Sequence, residues 1–151
     1  MHSLVRRYIK TAIGFLIVGL MIGGWMMVRR EIYNGFPTPF QTSAHTHAVF
    51  VGFVMMMILG VALWLFPRPD KESTQYRPAL AGAAYWLVTI GTASRVAGEL
   101  ARSTVDATWL RWAIVLSGFV QIAGLLVYFY TMWPRIRSVG SAVREAKGER
   151  F

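Results

Sequence analysis

The chain has 151 residues, room for one domain. Hydrophobic residues make up 55% of it and charged residues 15%, below the roughly one quarter usual in soluble domains, so a soluble core this small could not hide its apolar surface. The net charge is +9, but the 16 Lys and Arg sit at the ends of apolar runs rather than along one helix face, which sets lipid headgroups and not nucleic acid opposite them.

The first apolar run, Thr11 to Val28, carries no charge and as a helix is about 27 Å long, close to the hydrocarbon thickness of a bilayer. Arg6, Arg7 and Lys10 precede it. No small-residue cleavage site follows, because the run ends Trp25-Met26-Met27-Val28-Arg29-Arg30, so it reads as a retained span and not a signal peptide. A turn-rich loop with Gly35, Pro37 and Pro39 leads to a second span from about 44 to 66, stopped by Pro67, Arg68, Pro69 and Asp70. After a charged loop, Asp70 to Arg77, the third span runs from Pro78 to about Ser94, with Arg95, Glu99, Arg102 and Asp106 marking its exit. The fourth covers 112 to 133 and ends at Pro134. The remainder, 135–151, is a basic tail.

These runs predict an all-α bundle of four transmembrane helices. Eleven of the 16 Lys and Arg fall in the N-terminal segment, the second loop and the tail. The positive-inside rule then makes both termini cytoplasmic, in a cytoplasmic (inner) membrane, and puts the start of the second span at the outer face. Gly19 and Gly23 in the first span, and Ala44, Ala48 and Gly52 in the second, form small-residue stripes at four-residue spacing. Such stripes let helix backbones approach closely, either within one chain or between subunits.

Only three His exist. His2 lies in the N-terminal tail, and His45 and His47 lie together at the mouth of the second span. Two residues apart on a helix, their side chains point roughly 200° from one another. A single protein-held metal ion wants ligands three or four residues apart, on one face. The pair therefore looks toward two neighbouring helices, and each imidazole can supply one axial ligand to a heme iron. The plainer alternative is interface hydrogen bonding, with Thr42 and Ser43 as caps. Arg29, Arg30, Arg95 and Arg102 fall on the same outer side, where a guanidinium fork suits a heme propionate, although Arg at span ends also snorkels to lipid phosphate. Trp25 and Phe50 can flank a porphyrin or act as interface anchors, and Met55, Met56 and Met57 read as packing. The absence of Cys excludes covalent c-type heme attachment, thiolate ligands and iron–sulfur clusters.

The stretch Ala44-His45-Thr46-His47, with Gly52, Gly60 and the closing Trp64-Leu65-Phe66-Pro67-Arg68, resembles the heme-ligand helix of subunit I in the heme-copper oxidase superfamily, which includes the nitric oxide reductases. The resemblance covers about two dozen residues of one span. It implies that His45 and His47 each bind heme iron, the first to a high-spin and the second to a low-spin heme in the family pattern. The departures are large. The family subunit has about twelve spans, its copper site needs three further His, and Gln121 is the one strongly polar side chain near a span centre here. These departures leave no residues for a copper site and no evident proton channel, and oxygen reduction by this chain alone is not expected.

Four spans equal one arc of the twelve-helix subunit, so three copies could rebuild its shape, with His45 of one chain facing His47 of the next. The expected protein is a b-type membrane cytochrome with bis-His heme b, a homo-oligomer with the homotrimer favoured and hemes shared between chains. Its role would be electron transfer, with a quinone or a redox protein as partner. The alternative is a heme-free structural or assembly subunit of a respiratory complex.

Overall fold

The computed structural model describes residues 3–66, 78–136 and 148, and all regular structure among them is helical. The predicted stop at 67–70, the loop to Arg77, His2 and all of the basic tail except Arg135, Ile136 and Gly148 lie outside the described residues.

Helix α1 spans Ser3–Tyr33. At 1.5 Å per residue its 31 residues reach about 46 Å, so it overshoots the hydrocarbon layer and carries its flanking cations out to the headgroups. Beyond it Asn34 takes a left-handed φ of 48°, a conformation that Asn tolerates better than most residues. Helix α2 spans Pro39–Leu65. Its start is fixed by a reciprocal capping box, in which Thr38 accepts from Gln41 N and the Gln41 side chain accepts from Thr38 N, with Pro39 behind the cap. From His47 to Met55 it opens into nine residues of π-helix before resuming as Met56–Leu65. Phe66 is extended (φ −70°, ψ 143°), as a residue before proline prefers.

Helix α3 spans Pro78–Arg102, and α4 spans Thr108–Met132 with a tight turn, Trp133–Arg135, at its end. Among the described residues three helices are long and apolar enough to cross a bilayer: α1, α2 and Thr108–Arg135. The predicted third span is the exception by composition. Its helix does not stop at Ser94 but continues through Arg95, Glu99 and Arg102, and at 25 residues, about 38 Å, it is long enough to cross.

Consecutive helices pack side by side. Helices α3 and α4 come closest. A Cβ on Gly91 would lie 2.9 Å from Gln121 N, and one on Gly124 would lie 2.9 Å from Val88 N, so bare glycine is what lets the two backbones meet. The only strongly polar side chain expected near a span centre, Gln121, is buried there and donates to Thr92 Oγ1 at 2.9 Å. The two sequence stripes of α1 and α2 face each other inside the chain. Gly19 meets Ala48 and Val49, and Gly23 meets His45.

The main core joins Val5, Tyr8 and Ala12 of α1 to Met56, Leu59 and Leu63 of α2, and to Tyr85, Val88, Tyr128 and Met132. Arg135 closes this end. It is buried, and its guanidinium donates to the carbonyls of Leu63 and Phe66 at the end of α2. The outward surface is apolar: Leu20, Met21, Phe50, Trp64, Phe119 and Leu126 are each more than 60% exposed. A lipid environment accounts for apolar exposure on that scale.

Candidate functional site at one end of the bundle

The end of α1, the start of α2 and the end of α3 lie at one end of the bundle, which brings both histidines and all four candidate arginines into the same half of the molecule. The two rings diverge. His45 turns to α1, where its Nδ1 lies 2.9 Å from Gly19 O. A carbonyl can only accept, so Nδ1 carries the proton. Gly23 makes room for the ring, since a Cβ there would lie 2.8 Å from His45 Cε1.

His47 turns to α3. Its Nδ1 lies 2.9 Å from Ser43 O, 3.3 Å from Ser43 Oγ and 3.3 Å from Glu99 Oε2. Ser43 gives its hydroxyl proton to Glu99 Oε1 at 2.8 Å, and Arg95 Nε donates to the same oxygen at 3.1 Å. With the Ser43 proton committed to Glu99, all three neighbours of His47 Nδ1 are acceptors, and Nδ1 must be the donor. Among the described residues, neither histidine Nε2 has a hydrogen-bond partner.

His45 shares a surface depression of about 180 Å³ with Arg30, Gly23, Met26, Met27 and Pro37. That is smaller than the roughly 300–1,000 Å³ of ordinary ligand cavities, so the depression cannot by itself enclose a porphyrin. Arg30 also pairs with exposed Glu31 at 2.7 Å. Arg29 lies over the Trp25 ring at 5.4 Å, and Arg102 over Phe40 at 5.2 Å. Arg102 and Arg111 both bind Asp106 in the loop before α4 and hold its carboxyl below the usual carboxylate range. Of the four arginines, Arg30 stands beside His45 and Arg95 reaches His47 through Glu99. Among the described residues no three His, Cys, Asp or Glu gather as a metal-ion site.

The residue that sequence reasoning missed is Glu99. Classed there with the exit of the third span, it is 3% exposed and sits against His47. A signal was available. The buried stripe Ala81, Ala84, Tyr85, Val88, Thr92, Val96 continues in helical register onto Glu99, and Arg95 precedes it by four residues.

A family model described as Domain of unknown function (DUF8744) matches residues 4–135, which takes in every helix of the bundle. The chain belongs to that family. The DUF8744 chain is also 24% identical over 131 residues to the Cbb3-type cytochrome c oxidase subunit CcoN1 of Stutzerimonas stutzeri. The match covers 72% of this chain and 28% of that relative, so the chain spans just over a quarter of the relative's length. The chain thus bears a distant likeness to a cytochrome c oxidase subunit, and its all-α bundle suits a membrane. No solved structure matches the chain.

Proposed function

We propose that this is a membrane-bound b-type heme protein in which His45 and His47 supply axial ligands through Nε2 and the bound heme serves in electron transfer. The observation that carries the reading is the state of the two rings. Each gives its Nδ1 proton to a protein acceptor. That fixes the tautomer, orients the ring and keeps the Nε2 lone pair available to a metal, which is the usual outer-shell arrangement around a ligating histidine. Nine residues of π-helix begin at His47, and such segments are frequent at functional sites. The distant likeness to a Cbb3-type oxidase subunit supports the same class of cofactor.

The rings face opposite ways, so two axial ligands to one iron must come from two chains. Three copies, each placing four helices across the bilayer with α3 as the third, would bring His45 of one chain opposite His47 of the next. A porphyrin that the small depression at His45 cannot enclose would then be covered by the neighbouring copy. Arg30 and Arg95 are the best placed of the four arginines to meet propionates, with Arg29 and Arg102 further round. Heme b with both axial positions filled carries one electron at a time and has no open site for oxygen. A quinone or redox protein would be the partner.

A second reading has its own support. Both Nδ1 atoms are satisfied within the chain and the depression is small, as suits a heme-free structural or assembly subunit. Colour separates the two. The heme reading expects a Soret band, sharp reduced α and β bands, about one heme per chain and a trimeric mass. His45→Ala and His47→Ala should each abolish the low-spin spectrum. Spectra unaltered in both variants would remove the ligand assignment, and a colourless protein from heme-replete cells would favour the structural subunit.

A further inference from the structure

Glu99 is a carboxylate buried near the end of α3 that axial ligation alone does not require. A buried charge is costly unless it is paired and hydrogen-bonded. Its Oε1 is well served, by the Ser43 hydroxyl at 2.8 Å and by Arg95 Nε at 3.1 Å. Its Oε2 is buried and accepts no hydrogen bond among the described residues, yet it stands 3.3 Å from His47 Nδ1. The His47 N–H is directed instead to Ser43 O at 2.9 Å, so the carboxylate acts on the ring through its charge.

Among the described residues His45 has no such neighbour. Its Nδ1 proton goes to the neutral carbonyl of Gly19. The two imidazoles are therefore inequivalent, with a carboxylate behind one and a peptide carbonyl behind the other.

We propose that Glu99, held in place by Ser43 and Arg95, is a positioning residue whose charge adds to the Ser43 carbonyl in holding His47 as its Nδ1–H tautomer and makes its Nε2 a stronger electron donor than that of His45. The proposal rests on the reading of His47 as an iron ligand. A negative charge behind a ligating imidazole raises ligand basicity, in the same sense as a carboxylate that accepts its N–H. A stronger donor favours the oxidised iron.

The test uses the full chain in detergent, from heme-replete and from heme-deficient cells, as wild type, Glu99→Gln, Glu99→Asp and Ser43→Ala. In heme-free protein, ¹⁵N shifts of the histidine rings report the tautomer. His47 should be a single Nδ1–H species in wild type and a mixture in Glu99→Gln, with His45 unmoved. In heme-loaded protein, Glu99→Gln should raise the midpoint potential. A tenfold loss of preference for oxidised iron corresponds to about 59 mV in a one-electron couple. Glu99→Asp should return part of the shift, and Ser43→Ala should move it in the same direction as Glu99→Gln by less. Ser43→Ala carries the test should Glu99→Gln not fold. A folded Glu99→Gln with wild-type tautomer and potential overturns the proposal, and so does an Nε2–H His47 in wild type. A chain that takes up no heme, but loses the His47 tautomer in Glu99→Gln, upholds the Glu99–His47 coupling and overturns the heme reading alone.

Discussion

The distance from Gly23 to His45 sets a sharp condition on the histidine end of the bundle. A methyl group at position 23 would come within 2.8 Å of His45 Cε1 and 3.2 Å of Nδ1, closer than unstrained atoms approach. The ring is also tied by its bond to Gly19 O, one turn below, so it cannot withdraw without losing that partner. Gly23→Ala should therefore push the imidazole off α1 and cost about 1–3 kcal/mol, the usual range for overpacking a tight contact. Reversible unfolding in mixed micelles measures the stability. If His45 ligates iron, the same variant should also show a weakened or split low-spin spectrum, whereas Gly24→Ala should change neither, because the space beside Gly24 is open. A Gly23→Ala protein as stable as wild type would mean that this seat for the ring is not kept in the membrane. The divergence of the two histidines was legible beforehand, because two residues on a helix turn the chain through roughly 200°. The acceptors they meet were not. Gly19 O is a backbone atom that no side-chain pattern reports, and Glu99 looked like an exit signal because it lies among charges.

At the scale of the helices, Pro78 marked the start of α3, but the expected starts at 11, 44 and 112 fall inside helices that begin at Ser3, Pro39 and Thr108. The start of α2 is set by Pro39, read beforehand as part of the loop, and by the Thr38–Gln41 capping box. Helix α3 outran its expected end at Ser94 because hydropathy counts each charge as if it faced water or lipid alone. Arg95 and Glu99 neutralise each other along the helix, and Ser43 of α2 completes the set, so the helix continues to Arg102. The π segment from His47 to Met55 left no mark in the sequence, which there is simply apolar. The α3–α4 contact is the firmest consequence of the glycine pattern. Gly124 lets Val88 N approach to where a Cβ would be 2.9 Å away, and Leu87 Cβ would be equally near. Gly124→Ala must separate two backbones, not merely rotate a side chain. It should be destabilising by about 1–3 kcal/mol in the same unfolding assay, while Gly82→Ala, with nothing near the added methyl, should be neutral or slightly stabilising through helix propensity. Equal stability of the two variants would show that α3 and α4 are not in backbone contact.

For the whole molecule the open matter is whether α3 crosses the bilayer, and the packing makes that a question about two loops. The turn after α1 and the turn after α3 lie at the same end of the bundle, because Arg102 stacks over Phe40 and Gln41 Nε2 donates to Ser103 Oγ. If α2 spans, this arrangement obliges α3 to span back, whatever its own hydropathy. Its charges then sit near one surface with the headgroups, where Arg and Glu are far less costly than at mid-bilayer. The positive-inside bias predicts that this surface is the outer one. The chain has no Cys, so single cysteines can report sides without background. Asn34→Cys and Val105→Cys occupy exposed positions in the two turns, and Gly148→Cys is exposed in the C-terminal segment. In intact cells a membrane-impermeant maleimide should label the first two and spare the third, and permeabilisation should add the third. Labelling of Asn34→Cys without Val105→Cys would leave α3 on one side of the membrane and take away the four-span arrangement. Labelling of Gly148→Cys alone in intact cells would keep four spans but invert them, moving His45 and His47 to the cytoplasmic face and with them any electron partner.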